Sequence, residues 1–523
     1  MKAIKTGAFA IGIGILATGA MQSPPRGNAT ELMPAEVNVT NDLTNRYGEV
    51  QIAINPKNPK NIVFVQNQMA YTYACQAAKD PTCELVPTRM GGFGGGGGGG
   101  AGAAGARPPG SPPAAPGGAP GAAARPPGGG GGGGGGALMS DHPVGFFSRD
   151  DFSTVGVFTS FDGGKTWKRA VTRVPSPQYP DLTSWGDPSV GVTPDGTFYL
   201  SYDNMDWGTA ERALPKSIVG ISKSTDGGLT WTSPVATGTP IDAPKTVVDS
   251  STGTIYEASG FGNRQLVSSK DGVTWTKPNG IGGSDGTRTY GPGFGSSMSA
   301  AHGMIAFSFR VADAAACTFF VGGGAPCLVF QTSTDSGATW KRYRVPVTGS
   351  YSGATLAADP SKKGHFAVVV QDERPSRFRV YQTNNAGGTW TETAVLAEDP
   401  TKLYYHAWAT YSPKGVLGLV WRSRQPIPGQ AAAGTGPAAG GGTPLPYNVW
   451  AAISRDGGKT FSKPLKVSTA DSPAPQGGTF GNNGDDYSGI ALHGDYAYFG
   501  WADWRPGERQ GFFRAIHLDA FKP

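Results

Sequence analysis

Arginine, carboxylate and tyrosine recur in short clusters along the chain. They are Arg46-Tyr47, Trp185-Gly186-Asp187, Asp203 with Asp206, Arg310, Tyr351, Asp372-Glu373-Arg374, Tyr404-Tyr405-His406, Arg422 with Arg424, Asp485-Asp486-Tyr487 and Asp503-Trp504-Arg505. A guanidinium is a planar fork that matches the two oxygens of a carboxylate. A carboxyl moves protons, and a phenol beside a base can attack an electrophilic carbon. Gathered on one surface, these side chains would hold an anionic ligand and act on it; scattered, they are strand ends and salt bridges. No other motif competes. HExxH, Walker A and a convincing GxSxG are absent, and the glycine tract contains GxGxxG only trivially, with no strand-to-helix context. Asn482-Asn483-Gly484-Asp485-Asp486 offers oxygens to calcium but reads more simply as a turn, so no metal and no cofactor are expected.

The elements that must position these residues repeat. Six segments share the pattern S-x-D-x-G-x-T-W/F: Ser160 to Trp167, Ser224 to Trp231, Ser269 to Trp275 (one residue short), Ser333 to Trp340, Thr383 to Trp390 (with Asn385 for Asp) and Ser454 to Phe461. The Asp or Asn folds its oxygen onto turn amides, Gly takes a backbone angle other residues resist, and the aromatic covers the hairpin base. Each motif therefore joins two antiparallel strands. A second hairpin pattern alternates with it, as in Val190 to Leu200 and Gly489 to Phe499, with starts near Val50, Val190, Val247, Met298, Thr355, Ala407 and Ile490. Four short strands per repeat describe the blades of an all-β propeller. Seven first hairpins favour seven blades, with six as the alternative. The propeller is expected over residues 36–523, closed by Glu36 to Thr40 pairing near Phe512 to His517.

These boxes resemble those of the sialidase-like superfamily of BNR/Asp-box repeat proteins. The resemblance implies that Asp162, Asp226, Asp271, Asp335, Asn385 and Asp456 are structural turns, remote from any active site. The arginine, carboxylate and tyrosine clusters should then gather at the opposite mouth of the channel. It further implies an exo-glycosidase on sialic or other acidic sugars. Arg46, Arg310, Arg374, Arg422 and Arg505 are candidates to hold the sugar carboxylate, Tyr487 or Tyr405 to attack, Glu373 to activate the phenol, and Asp187 or Asp486 to handle the proton. Tyrosine suits an acidic sugar because a carboxylate nucleophile would be repelled by the substrate. Where sialidases carry R-I-P, this chain has Arg46-Tyr47-Gly48. The same ring also fits a non-catalytic propeller that binds glycan or protein, or a cell-surface scaffold in which Asp–Arg pairs bridge blades.

Lys2, Lys5 and the apolar stretch Gly7 to Ala20 read as an export signal over residues 1–20, followed by a linker over 21–35. Residues 91–136, almost entirely Gly, Ala and Pro, have nothing to bury and are expected to stay disordered within blade one. The cysteines form two close pairs, Cys75 with Cys83 and Cys317 with Cys327, each able to close a short loop as a disulfide in an exported protein. A net charge of +6 with no basic run argues against nucleic acid. The expected molecule is a secreted or periplasmic monomer with a glycan as partner and no membrane span.

Overall fold

The computed structural model describes residues 29–41, 45–70, 85–87, 146–148, 155–170, 183–205, 218–260, 264–292, 296–425, 446–473, 488–507 and 509–523. Seven four-stranded antiparallel sheets form the blades of a β-propeller. Their inner strands are Asn45–Ile54, Thr183–Val192, Lys245–Asp249, Ser297–Ala301, Tyr351–Ala358, Leu403–Tyr411 and Gly489–His493, for blades 1 to 7. Inner strands of successive blades pack side by side, and blade 7 returns to blade 1. Alternating side chains fill the space between sheets. Val420, Val449 and Ile453 of blade 6, for example, share a core with Phe499, Trp501 and Ile516 of blade 7.

The ring closes as the sequence suggests. The outer strand of blade 7 is Val37–Asn38, which pairs with Phe513 and Phe512. Glu36 accepts from Arg505 and from the Thr469 amide (2.9 Å) and hydroxyl (2.6 Å), so the N-terminal segment is tied to blades 6 and 7 together.

The Asp boxes fold as their chemistry dictates. Asp162 Oδ1 accepts from the amides of Lys165 (2.9 Å) and Thr166 (3.0 Å), its Oδ2 accepts from the Thr166 hydroxyl (2.6 Å), and the Trp167 indole donates to Gly164 O (3.0 Å). The bonds from the Thr amide and hydroxyl recur at Asp226, Asp335 and Asp456, the amide bond of Lys165 recurs at Leu229 and Lys459, and the indole bond recurs at Trp231, with shortened or amide versions of the turn at Asp271 and Asn385. Each box lies between the third and fourth strands of its blade. The turns between second and third strands, and the entries to the inner strands, therefore lie on the other face, here called the mouth.

The chain from Arg310 to Pro326 leaves the mouth of blade 4. It forms the helix Ala314–Val321, capped by the Asp313 carboxylate on the Ala316 amide (2.8 Å), and the disulfide Cys317–Cys327 holds it down. Cys75, Cys83 and residues 91–136 lie outside the described residues. No helix among the described residues is long and apolar enough to cross a membrane.

Candidate functional site

One backbone device shapes the mouth. In blades 1, 2 and 6 the inner strand carries a bulge at the same point, where two inner residues face one on the second strand. The first extra residue is Glu49 (φ 55°), Asp187 (φ 51°) and His406 (φ 51°); at the entry to blade 3 stands Ala243 (φ 49°), after Asp242 (φ 107°). A non-glycine residue in this left-handed region costs about 1–2 kcal/mol. Three of the four in the narrow φ range are titratable. Bulges re-aim side chains at sites, and here they set Glu49, Asp187 and His406 at the mouth ends of their inner strands.

The floor is formed by residues two positions deeper. Lys245 Nζ lies over the Trp408 ring, 5.6 Å from its centroid. Blades 3 and 6 are not neighbours, so this contact crosses the axis of the ring.

One wall is acidic. The Asn67 amide donates to Glu49, and its side-chain oxygen accepts from the Asp187 amide (2.7 Å). The Asp187 carboxylate accepts from the Ala243 amide (3.2 Å), and that of Asp203 accepts from the Asp242 amide (3.1 Å). Burial, then repulsion from Asp187, raises Asp203 well above the ordinary carboxylate range and pushes Asp242 up to about 6. Burial outweighs the hydroxyls of Thr239 and Ser259 and pushes Glu257 up to about 7. The Arg264 guanidinium beneath this wall donates to the carbonyls of Ala243 (2.7 Å) and Ala258 (3.1 Å).

The opposite wall is basic and aromatic. Tyr405 and Arg422 are register partners in blade 6. Tyr405, Tyr447 and Trp504 pack together, all buried. Arg422 lies over the Tyr447 ring (5.1 Å), Arg424 over Tyr405 (5.2 Å) and Arg509 over Trp504 (5.8 Å). Among the described residues no carboxylate pairs with Arg424. His406 stands beside Arg422 and Arg424; both ring nitrogens are buried and neither has a hydrogen-bond partner among the described residues. Burial, then the charge of the two arginines, holds its pKa well below the ordinary histidine value.

The structure thus brings Tyr405, Arg422, Arg424 and His406 together, and Asp187 with Asp203. The other candidates are distributed around the rim. Arg310 is exposed on blade 4, over the Tyr351 ring at 5.6 Å. Glu373 and exposed Arg374 form the turn of blade 5, where Glu373 accepts from the Ser350 hydroxyl. Asp372 is paired with Arg377 (3.0 Å) and Arg379 (2.6 Å) of its own blade. Arg505 is filled by protein carboxylates: Nε and Nη2 donate to Asp503 (3.0 and 2.8 Å) and Nη1 to Glu36. Tyr487, Asp486 and the Arg46 side chain lie outside the described residues. Glu49, Asn67, Asp242, Glu257, Lys245 and the strained backbone of His406 were not picked out from the sequence, since a bulge leaves no compositional mark.

A family model described as BNR/Asp-box repeat matches residues 158–169. That segment is the first of six hairpins with a common hydrogen-bond set. The chain is a seven-bladed β-propeller that carries a BNR/Asp-box repeat. Among solved structures the propeller is similar to the Hadza microbial sialidase Hz136, at 18% identity over 70% of this chain and 72% of that one, with a TM-score of 0.40. A Dyadobacter fermentans protein of unknown function is 14% identical over 66% of this chain and 97% of its own, with a TM-score of 0.40. A Trypanosoma rangeli sialidase mutant displaying trans-sialidase activity is 13% identical over 68% of this chain, with a TM-score of 0.37, and the Asp-box propeller spans only 56% of it. No curated protein matches the sequence.

Proposed function

We propose that the mouth of this propeller binds an acidic carbohydrate, with the sugar's anion seated between Arg424, Arg422 and His406 and its ring against the aromatic wall. One observation carries the reading: the half-buried guanidinium of Arg424, with its Nε buried, and the imidazole of His406, with both nitrogens buried, stand side by side without a hydrogen-bond partner for those atoms among the described residues. Buried polar groups are ordinarily paired, and a ligand carboxylate would supply the missing acceptor. The imidazole, neutral at pH 7, can donate to it as well. The export signal over residues 1–20 and the disulfide Cys317–Cys327 fit an extracellular or periplasmic setting for such a ligand.

Calorimetric titration tests the reading with glucuronate and the methyl α-glycoside of N-acetylneuraminic acid against galactose. The acidic probes bind, galactose binds at least about tenfold more weakly, and Arg424→Gln removes the difference, as expected for a charge-assisted pair. Equal or absent binding of all three overturns it.

A hydrolytic reading is favoured by the crowding of Asp187, Asp203 and Asp242, which keeps a proton on the acidic wall; a carboxyl that holds its proton is what a glycosidase needs as general acid. In it the proton comes from the acidic wall, where Asp203 and Asp242 are the raised carboxyls, and Tyr487 is the candidate nucleophile. Release of 4-methylumbelliferone from its sialoside between pH 4 and 8 would support turnover; no release from a panel of acidic glycosides leaves a binding propeller.

A further inference from the structure

The pocket is divided by charge in a way that a simple anion site does not need. On the wall built by blades 1 to 3 stand Glu49, Asp187, Asp203, Asp242 and Glu257; Arg264 beside them spends its Nη2 on two backbone carbonyls, and Lys245 of blade 3 lies at the floor. Two of these carboxyls are unsatisfied. The carboxylate of Asp242, half-exposed, accepts no hydrogen bond among the described residues, and Glu257, fully buried, keeps Oε1 without a partner among them. On the wall built by blade 6 stand His406, Arg422 and Arg424. The contact of Lys245 Nζ on the Trp408 ring, 5.6 Å from its centroid, joins blade 3 to blade 6 between the two walls.

Resting on the anion reading above, we propose that the acidic wall is an ammonium subsite and that the preferred ligand is zwitterionic: an acidic sugar with a free amino group, its carboxylate toward Arg424 and His406 and its ammonium toward Asp187 and Asp242. An ammonium carries three donors and a full charge. It would fill the open acceptors of Asp242 and relieve the mutual repulsion of the three aspartates, which a hydroxyl or an acetamide does far less. A neutral or purely anionic sugar leaves that wall crowded and unpaired. Asp187 and Asp242 both hold positive φ angles, 51° and 107°, a backbone that costs energy to keep.

The test compares four probes on the full chain at pH 7.5 by titration calorimetry: the methyl α-glycoside of neuraminic acid (carboxylate and free amine), its N-acetyl form (carboxylate alone), glucuronate, and glucosamine (amine alone). The amino acid-sugar binds about tenfold or more tightly than its N-acetyl form, the scale of one added charge-assisted pair. Asp242→Asn brings that ratio to about one. Asp187→Asn does the same and guards against a folding defect in the first variant, with thermal melts as the control; asparagine tolerates the left-handed backbone at both positions. Equal affinities for the amino and N-acetyl forms, or a ratio untouched by both substitutions, overturn the ammonium subsite while leaving the anion reading standing. Failure of every carboxylate probe to bind removes both.

Discussion

Glu257 sits in the second strand of blade 3, fully buried, with the Thr239 hydroxyl 2.8 Å from Oε2. Its carboxyl is held at about 7, against an ordinary 4.5, because burial outweighs the hydroxyls and the Arg264 charge that favour the anion. A raised carboxyl is most comfortable neutral. Its contribution to stability is complete below the unfolded value near 4.5 and is lost as pH rises through about 7. Asp242, at about 6, adds to the same window. The wild-type chain should therefore melt progressively earlier from pH 5 to pH 8, by up to a few kcal/mol. Glu257→Gln keeps the shape without the titration, so it flattens part of that slope and is the more stable protein at pH 8. Urea melts at three pH values read this out, and parallel curves for the two proteins would assign the slope elsewhere. At this scale the sequence was only half legible. Arg422, Arg424, Tyr405 and Asp187 stood out by type and by position at strand ends. Glu49 and His406 owe their roles to a left-handed backbone, and nothing in the identity of a Glu or a His announces one.

The hairpin with the Asp box was the most legible element, because turn chemistry is local and each residue of the motif has one task. What the pattern hides is the task of the box between blades. The glycine that follows the turn packs on the preceding blade every time: Gly228 on Val63, Gly272 on Tyr199, Gly337 on Leu266, Gly387 on Phe330, Gly458 on Gln382, and Gly164 on Phe513 across the seam. A Cβ on Gly228 would lie 2.5 Å from Val63 Cγ2, on a backbone at φ 93°. Gly228→Ala thus combines a steric clash with a strained angle and should cost about 2–4 kcal/mol. Gly253→Ala is the comparison, since its φ is 65° but its Cβ meets nothing within 4 Å, so only the backbone part, about 1 kcal/mol, should remain. Equal losses in thermal denaturation would mean that the box does not clamp blades together. The opposite turns are less regular. The inner-strand bulges are invisible to alternation, because an extra residue shifts the pattern without erasing it.

A propeller holds its parts in place only if the ring is shut, and here the seam lies between blades 7 and 1. The closing strand is short, but its attachments are many. The Val39 amide donates to Gly511 O (2.8 Å), the Thr40 hydroxyl to Gln510 Oε1 (2.6 Å), Arg514 Nε to Pro34 O (2.8 Å), and Glu36 holds Arg505 and Thr469. Deleting residues 1–41 would strip these bonds together and turn Gln510–His517 into an open edge with unpaired backbone groups beside Phe512 and Phe513, an invitation to aggregate. The expected loss is about 3 kcal/mol or more. Glu36→Gln removes one charge but leaves Arg505 on Asp503, so its cost should stay near about 1 kcal/mol. The two losses separate the strand from its ion pair. The deletion bears on the pocket too, although no residue of that segment lines it. Its acidic wall comes from blades 1 to 3 and its basic wall from blade 6, on opposite sides of the seam, and only blades 4 and 5 would still join them directly. If the pocket is a property of the closed ring, the shortened chain should lose acidic-sugar binding even where it remains folded and monomeric by light scattering. Binding retained at full strength in that protein would mean that the long way round is stiff enough alone.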